Sequence, residues 1–164
     1  MSKITLNIAV LTVSDTRTAE TDTSGLKLKS CAEADGHKVV AQKIVKDDLF
    51  HIRAVVSAWI YQSDIQVVLI TGGTGFSARD VTPDAVEPLL EQVIPGFGEL
   101  FRQVSYDEIG SSTVQSRVLA GISNRTFVAT IPGSTGACHT AWTAILSEQL
   151  DSRHKPCNFV DLLR

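Results

Sequence analysis

Residues 65–85, IQVVLITGGTGFSARDVTPDA, constrain this chain more than any other stretch. The run opens with Ile65-Gln66-Val67-Val68-Leu69-Ile70, short, β-branched and uncharged. Such a run predicts a strand buried on both faces. Thr71-Gly72-Gly73-Thr74-Gly75 follows, three glycines in four positions. Glycine admits backbone angles closed to other residues and lets a ligand approach the main chain. Successive N–H groups in such a turn form an anion-binding nest. Thr82-Pro83-Asp84 then predicts a helix start, with Thr82 as N-cap, proline at the first helical position and an acid in the first turn. A buried strand thus feeds a glycine loop that ends in a helix, and in open α/β sheets ligands bind past the carboxyl ends of strands. A phosphate is the expected guest.

Two other readings compete. Glycine turns also make plain strand-to-helix connections, although this one carries Thr74, Ser77, Arg79 and Asp80. Gly73-x-Gly75-x-x-Ala78 fits the loose dinucleotide fingerprint. Against it, the loop follows the expected third strand, not the first, and the helix starts after the third fingerprint position. No acid ends a following strand at the required spacing. A Walker pattern is absent.

The 164 residues are enough for one domain with a substantial core. Net charge is −3 with no basic cluster, which argues against a nucleic-acid partner. No apolar run approaches the roughly 20 residues that span a bilayer, so no membrane partner is expected. The first residues, MSKITLNIAVLTVS, read as a strand and not a signal peptide. Three cysteines without a CxxC point to free thiols in a reducing cytoplasm. The four histidines show no metal-ligand spacing.

In chain order, residues 4–13 predict the first strand, ending at the polar pair Ser14-Asp15. A helix from Thr23 or Ser24 to about Asp35 closes at Gly36, where a C′ glycine belongs. Residues 37–46 predict an outer strand. Asp47-Asp48 precede a helix over 49–62 whose apolar stripe runs Ile52, Val55, Val56, Trp59 and Ile60. Asp47 reads either as the N-cap of that helix or as a catalytic acid at a strand end. Residues 82–92 read as helical, Pro95-Gly96-Phe97-Gly98 as a break, 99–106 as a short helix and 113–120 as another. Residues 126–131 predict a second buried strand, running into Pro132-Gly133-Ser134 and a helix over 137–150. The two strand–turn–helix units share one layout, so if their strands are neighbours their loops face one cleft. The tail at 157–160 reads as an edge strand or a subunit contact. Strands alternating with helices imply a parallel or mixed sheet.

Thr71-Gly72-Gly73-Thr74-Gly75, Arg79-Asp80-Val81-Thr82-Pro83, Pro95-Gly96-Phe97-Gly98-Glu99, Ser116-Arg117 and Ile131-Pro132-Gly133-Ser134 resemble, in order, the signature of the MoaB/Mog family of molybdenum cofactor biosynthesis proteins. The resemblance covers nearly the whole chain. It implies a single domain over 1–164 with a three-layer α/β/α sandwich and a mostly parallel central sheet, assembled as a homotrimer or homohexamer. It implies a cytoplasmic molybdopterin adenylyltransferase that uses ATP and Mg2+, releases pyrophosphate and hands its product to the molybdate-insertion enzyme. The family's two acids fall on Asp47 and Asp80, as catalytic groups and magnesium ligands. Thr71, Gly72, Gly73, Thr74, Gly75 and Ser77 would hold phosphate, and Ser14, Ser116, Pro132, Gly133 and Ser134 would contact the pterin or its phosphate. The family's usual lysine after Pro-Gly-Ser-x is replaced here by Gly136, leaving Arg79, Arg117 or Lys46 to supply a cation. A non-catalytic molybdopterin-binding protein of the same pathway is the alternative.

Overall fold

The computed structural model describes residues 2–163. Its centre is one six-stranded sheet in the order β2-β1-β3-β6-β5-β4. Strands β1 (Asn7–Val13), β2 (Lys38–Val45), β3 (Val67–Thr71) and β6 (Thr126–Ile131) are mutually parallel, while β4 (Gln92–Val93) and β5 (Ala120–Ser123) continue the sheet antiparallel. The mixed sheet is as expected, with β3 and β6 adjacent.

The alternation of side chains along each strand divides the core in two. Ile8, Val10, Val67, Leu69, Phe127, Ala129 and Ile131 face one side. There they meet helix α1 (Thr23–Ala34), α4 (Pro95–Ile109), α5 (Thr135–Ala141) and the chain end through Leu28, Phe101, Cys138, Leu146 and Val160. Ala9, Leu11, Val68, Ile70 and Val128 face the other side, under α2 (Leu49–Tyr61) and α3 (Thr82–Val86). The three layers are therefore α/β/α, and both sheet faces are dry, as a mainly parallel sheet requires. The apolar stripe on α2 meets its face with Ile52, Val56, Trp59 and Ile60 buried.

Several local expectations are corrected. Pro95 does not break the chain but opens α4, where a proline costs no hydrogen bond. Gly98 sits inside α4 because a Cβ there would lie 2.9 Å from the Val118 carbonyl oxygen. Residues 113–120 are not a helix. A 3-10 turn ends at Gln115, and Ala120–Ser123 is strand β5, hairpinned onto β6. The hairpin turn places Asn124 at φ 47° and Arg125 at φ 62°, the left-handed pair that suits the twist of the strands. The helical pattern over 82–92 stops at Val86, continues as a 3-10 turn at Glu87–Leu89 and ends in edge strand β4. Helix α5 passes into a π-helical turn at Trp142–Leu146. The tail at 157–160 adds no strand, and Val160–Leu162 is a 3-10 turn.

One buried group is imperfectly satisfied. His37 is 4% exposed, and its Nδ1 accepts the Leu6 N–H at 3.2 Å, so the proton sits on Nε2, which has no partner. Burial pushes its pKa down from 6.5, with Lys3 adding to the effect and Asp35 and Asp151 opposing it. As pH falls through 6.5 the unfolded chain takes the proton first, so the folded state loses stability below that pH. The urea midpoint should fall between about pH 7.5 and 5.5. The fall should be smaller in His37→Gln, whose amide oxygen can accept the Leu6 N–H without titrating.

Candidate functional site

The chain leaves β1 for β2 on one side and returns to β3 on the other, so a crevice opens between the carboxyl ends of β1 and β3. A cleft of about 330 Å³ occupies that place. Residues 14–17 after β1, Asp47 after β2, Thr71, Gly72 and Gly73 at the end of β3, Asp80, and Gly133 after β6 line it. The two small-residue turns thus share one cleft.

Close approach explains the glycines. Gly72 has φ +104°, and a Cβ there would collide with the Val13 carbonyl oxygen. A Cβ on Gly133 would lie 3.2 Å from the Gly72 Cα. Gly73 has φ +68°, and a Cβ there would collide with the Thr82 hydroxyl and lie 3.0 Å from Asp47 Oδ1. Hydroxyls stitch the turns together. Thr82 donates to the Gly72 carbonyl at 2.7 Å, Thr71 to the Pro132 carbonyl at 3.0 Å and Ser24 to the Gly133 carbonyl at 2.8 Å. Thr82 is therefore the first residue of α3 and a strut for the loop, not an N-cap, and Val81 holds the cap position.

The expected phosphate nest is smaller than the glycine count suggested. The Gly72 N–H is spent on the Ile131 carbonyl at 3.0 Å, extending the β3–β6 ladder by one rung. The Gly75 N–H is turned to the Asp80 carboxylate. The amides of Gly73 and Thr74 have no acceptor among the described residues.

Three carboxylates set the charge of the cleft. Asp80 accepts the Ser77 N–H at 2.8 Å. Hydrogen bonding from Ser77, joined by the Gly75 amide and Arg117, holds its pKa below the usual 3.8. Asp15 is gripped by both Nε and Nη2 of Arg79 at 2.9 Å, which likewise holds its pKa down, and it accepts the Asp47 N–H at 3.2 Å. Asp47 is the opposite case. Burial, then the negative charge of Asp15, raises its pKa above 3.8, while the Arg79 charge and a hydrogen bond from the Asp15 main-chain N–H offset this only in part. It does not cap α2; Asp48 does, accepting the His51 N–H at 2.7 Å.

Asp47 and Asp80 therefore open onto one cleft. No group of three acidic, histidine or cysteine side chains among the described residues could enclose a metal alone. A desolvated carboxylate of raised pKa beside two others fits a hard cation that takes one or two carboxylates and completes its shell with water and phosphate oxygens. Ser14 lines the cleft, and its Oγ accepts the Thr16 and Arg17 N–H groups at 3.2 and 3.0 Å, with the Thr16 hydroxyl 3.5 Å away as its other neighbour.

Other expected residues stand apart from the lining. Thr74 is 5% exposed and buried under the loop, and Ser77 faces solvent. Ser134 caps α5 through the Ala137 N–H at 3.1 Å, and Pro132 contributes its carbonyl to Thr71. Ser116 offers its carbonyl to Arg102 at 3.1 Å and lies outside the cleft. Sequence reasoning missed Asp22, which is 1% exposed, lines the cleft and caps α1 through the Gly25 N–H at 2.9 Å. It also accepts the Thr12 hydroxyl at 2.6 Å. A threonine inside the apolar run of β1 was the available signal for that buried acid.

This fold and cleft define a class. The family model described as a probable molybdopterin binding domain matches residues 9–152. The chain belongs to this family, in its molybdenum cofactor biosynthesis MoaB/Mog group. It is 53% identical over 156 residues to molybdenum cofactor biosynthesis protein B of Escherichia coli (strain K12), covering 95% of this chain and 92% of that one. The Bacillus subtilis (strain 168) protein of the same name is 44% identical over 142 residues, covering 86% and 84%. A crystal structure of a molybdenum cofactor biosynthesis protein B superposes with a TM-score of 0.88 at 44% identity, over 92% of this chain and 94% of that one. A tungsten cofactor synthesizing protein MoaB from Pyrococcus furiosus gives 0.78 at 35% identity, over 88% and 92%. The chain's role is in molybdenum cofactor biosynthesis.

The two adjacent acids should separate in stability measurements. Asp48→Ala removes a helix cap worth about 1 kcal/mol and should lower the melting temperature by about 2–4 °C. Ionised Asp47 opposes folding above its raised pKa, so Asp47→Asn at neutral pH should leave the melting temperature unchanged or higher.

Proposed function

We propose that this chain catalyses the Mg-ATP-dependent adenylylation of molybdopterin, acting as one unit over residues 1–164 in the cytoplasm and as a homotrimer or homohexamer. The observation that carries this reading is the convergence of Asp47, Asp80 and the Gly73 amide on one cleft at the switch point of the sheet. The terminal phosphate of molybdopterin attacks the α-phosphorus of ATP. The new P–O–P bond forms as the bond to the β-phosphate breaks, and pyrophosphate leaves. The nucleophile is already anionic, so no strong general base is needed, and the protein's task is to align the groups and offset charge.

The Gly73 and Thr74 amides are free to donate to a phosphate oxygen, and Ser14 can donate its hydroxyl. Asp47 and Asp80 would hold the magnesium ion, which supplies charge neutralisation between phosphates when bound. The rigid backing of Gly72 against Val13 and Gly133 keeps the loop from yielding under that load. The adenylylated product then passes to the molybdate-insertion enzyme.

A second reading, a non-catalytic molybdopterin-binding protein of the same pathway, draws on Gly136. It is exposed in the first turn of α5, with no side chain to bring a cation to the cleft. Release of pyrophosphate from ATP on addition of molybdopterin separates the two. With saturating MgATP, Asp80→Asn should lower that release by about 100-fold or more while circular dichroism and molybdopterin binding stay near wild type. Undiminished turnover in this variant would remove Asp80 from the metal site, and no release by the wild type would favour the binding protein.

A further inference from the structure

Arg117 lies far in sequence from the glycine loop and lines no part of the cleft, yet it grips the loop from behind. Its main-chain N–H donates to the Thr74 carbonyl at 2.9 Å. Its Nε donates to the Gly75 carbonyl at 2.8 Å, and Nη2 to the Asp80 carbonyl at 2.6 Å. Nη1 pairs with Asp84 Oδ2 at 3.1 Å, and the guanidinium lies 5.3 Å from the Phe76 ring centre. The side chain is 26% exposed, so these bonds are partly shielded from water.

We propose that Arg117 is the positioning residue of the glycine loop and, through it, of the Asp80 carboxylate. It is not the phosphate-binding cation that the exchange of lysine for Gly136 leaves wanting. The argument is geometric. A planar trans peptide points its N–H opposite to its C=O. Fixing the Thr74 carbonyl on the Arg117 main-chain N–H, a bond any residue but proline would keep, turns the Gly75 N–H to the far side, where it meets the Asp80 carboxylate; the side chain adds to this. Fixing the Gly75 and Asp80 carbonyls on the same guanidinium ties both ends of the 75–80 turn to one rigid plane. The Ser77 N–H closes that turn on Asp80 Oδ2. A planar fork can serve both carbonyls and the Asp84 carboxylate at once, whereas a lysine ammonium has neither the spread nor the fixed geometry. The consequence for turnover rests on the proposed adenylyl transfer; the consequence for the loop does not.

The experiment compares Arg117→Ala, Arg117→Lys and Asp84→Asn with the wild type in two measurements. In deuterium exchange, the bonded amides of Gly75, Ser77 and Asp80 should exchange at least about 10-fold faster in both Arg117 variants, while those of β3 and β6 keep their protection. In pyrophosphate release, kcat should fall by about 100-fold with KM for molybdopterin changed less than about 3-fold, as for a misplaced catalytic group. Methylguanidinium added to Arg117→Ala should restore part of the loss, which a general loss of fold would not allow. Asp84→Asn, which keeps the three carbonyl contacts, should stay within about 3-fold of wild type in both measurements. Unchanged exchange at Gly75, Ser77 and Asp80, or an even rise across β1, β3 and β6, overturns the proposal whatever the activity. Absence of pyrophosphate release in the wild type would instead overturn the adenylyltransferase reading and leave the exchange result to judge Arg117.

Discussion

The steric contact at Gly72 underlies everything else at the carboxyl edge of the sheet. Its α-carbon is wedged between the end of β1 and the turn after β6, with room for a hydrogen and nothing larger. Because β3 lies between β1 and β6, that wedge sets how far both neighbouring turns stand from the glycine loop. The Gly72 N–H reinforces it by bonding Ile131, and the Gly72 carbonyl by accepting from Thr82. Loop, strand ends and the start of α3 thereby become one rigid body.

That rigidity makes the charge arrangement possible. Two of the cleft acids are satisfied by their surroundings, Asp15 by Arg79 and Asp80 by Ser77 and Gly75. Asp47 is held against them by burial and beside the charge of Asp15, only partly offset by the Asp15 main-chain N–H and by Arg79. An unbalanced carboxylate weakens the folded state, and a loop that could relax would move to relieve it. The Gly72 wedge and the hydrogen bonds from Arg117 to the loop leave little room for that relaxation.

Much of this was legible in the residues. The apolar run 65–70, the glycines after it and the apolar 126–131 run placed β3, β6 and their turns correctly, since a doubly buried strand leaves no other periodicity. Other elements escaped. Strand β5 has four residues, and its hairpin turn uses Asn-Arg where a glycine would have signalled the positive φ. Helix α4 was shortened because Pro95 and Gly98 look like breakers, whereas one opens the helix and the other yields space to Val118. Asp47 and Asp48 are adjacent acids before a helix, and only backbone geometry tells cap from site.

The linear order of residues determined by itself the strand–helix alternation, the two-faced core and the two glycine turns that meet at the cleft. Those properties depend on hydrophobic period and on glycine's freedom of φ, both local. Tertiary structure alone decided which amides and carboxylates face the cleft. The Gly72 N–H was lost to Ile131, the Gly75 N–H to Asp80, and Arg117 went to the back of the loop instead of its front. Each of those outcomes hangs on partners brought together by the β3–β6 pairing or by the segment before β5, and no local pattern records where a folded chain will place a distant acceptor.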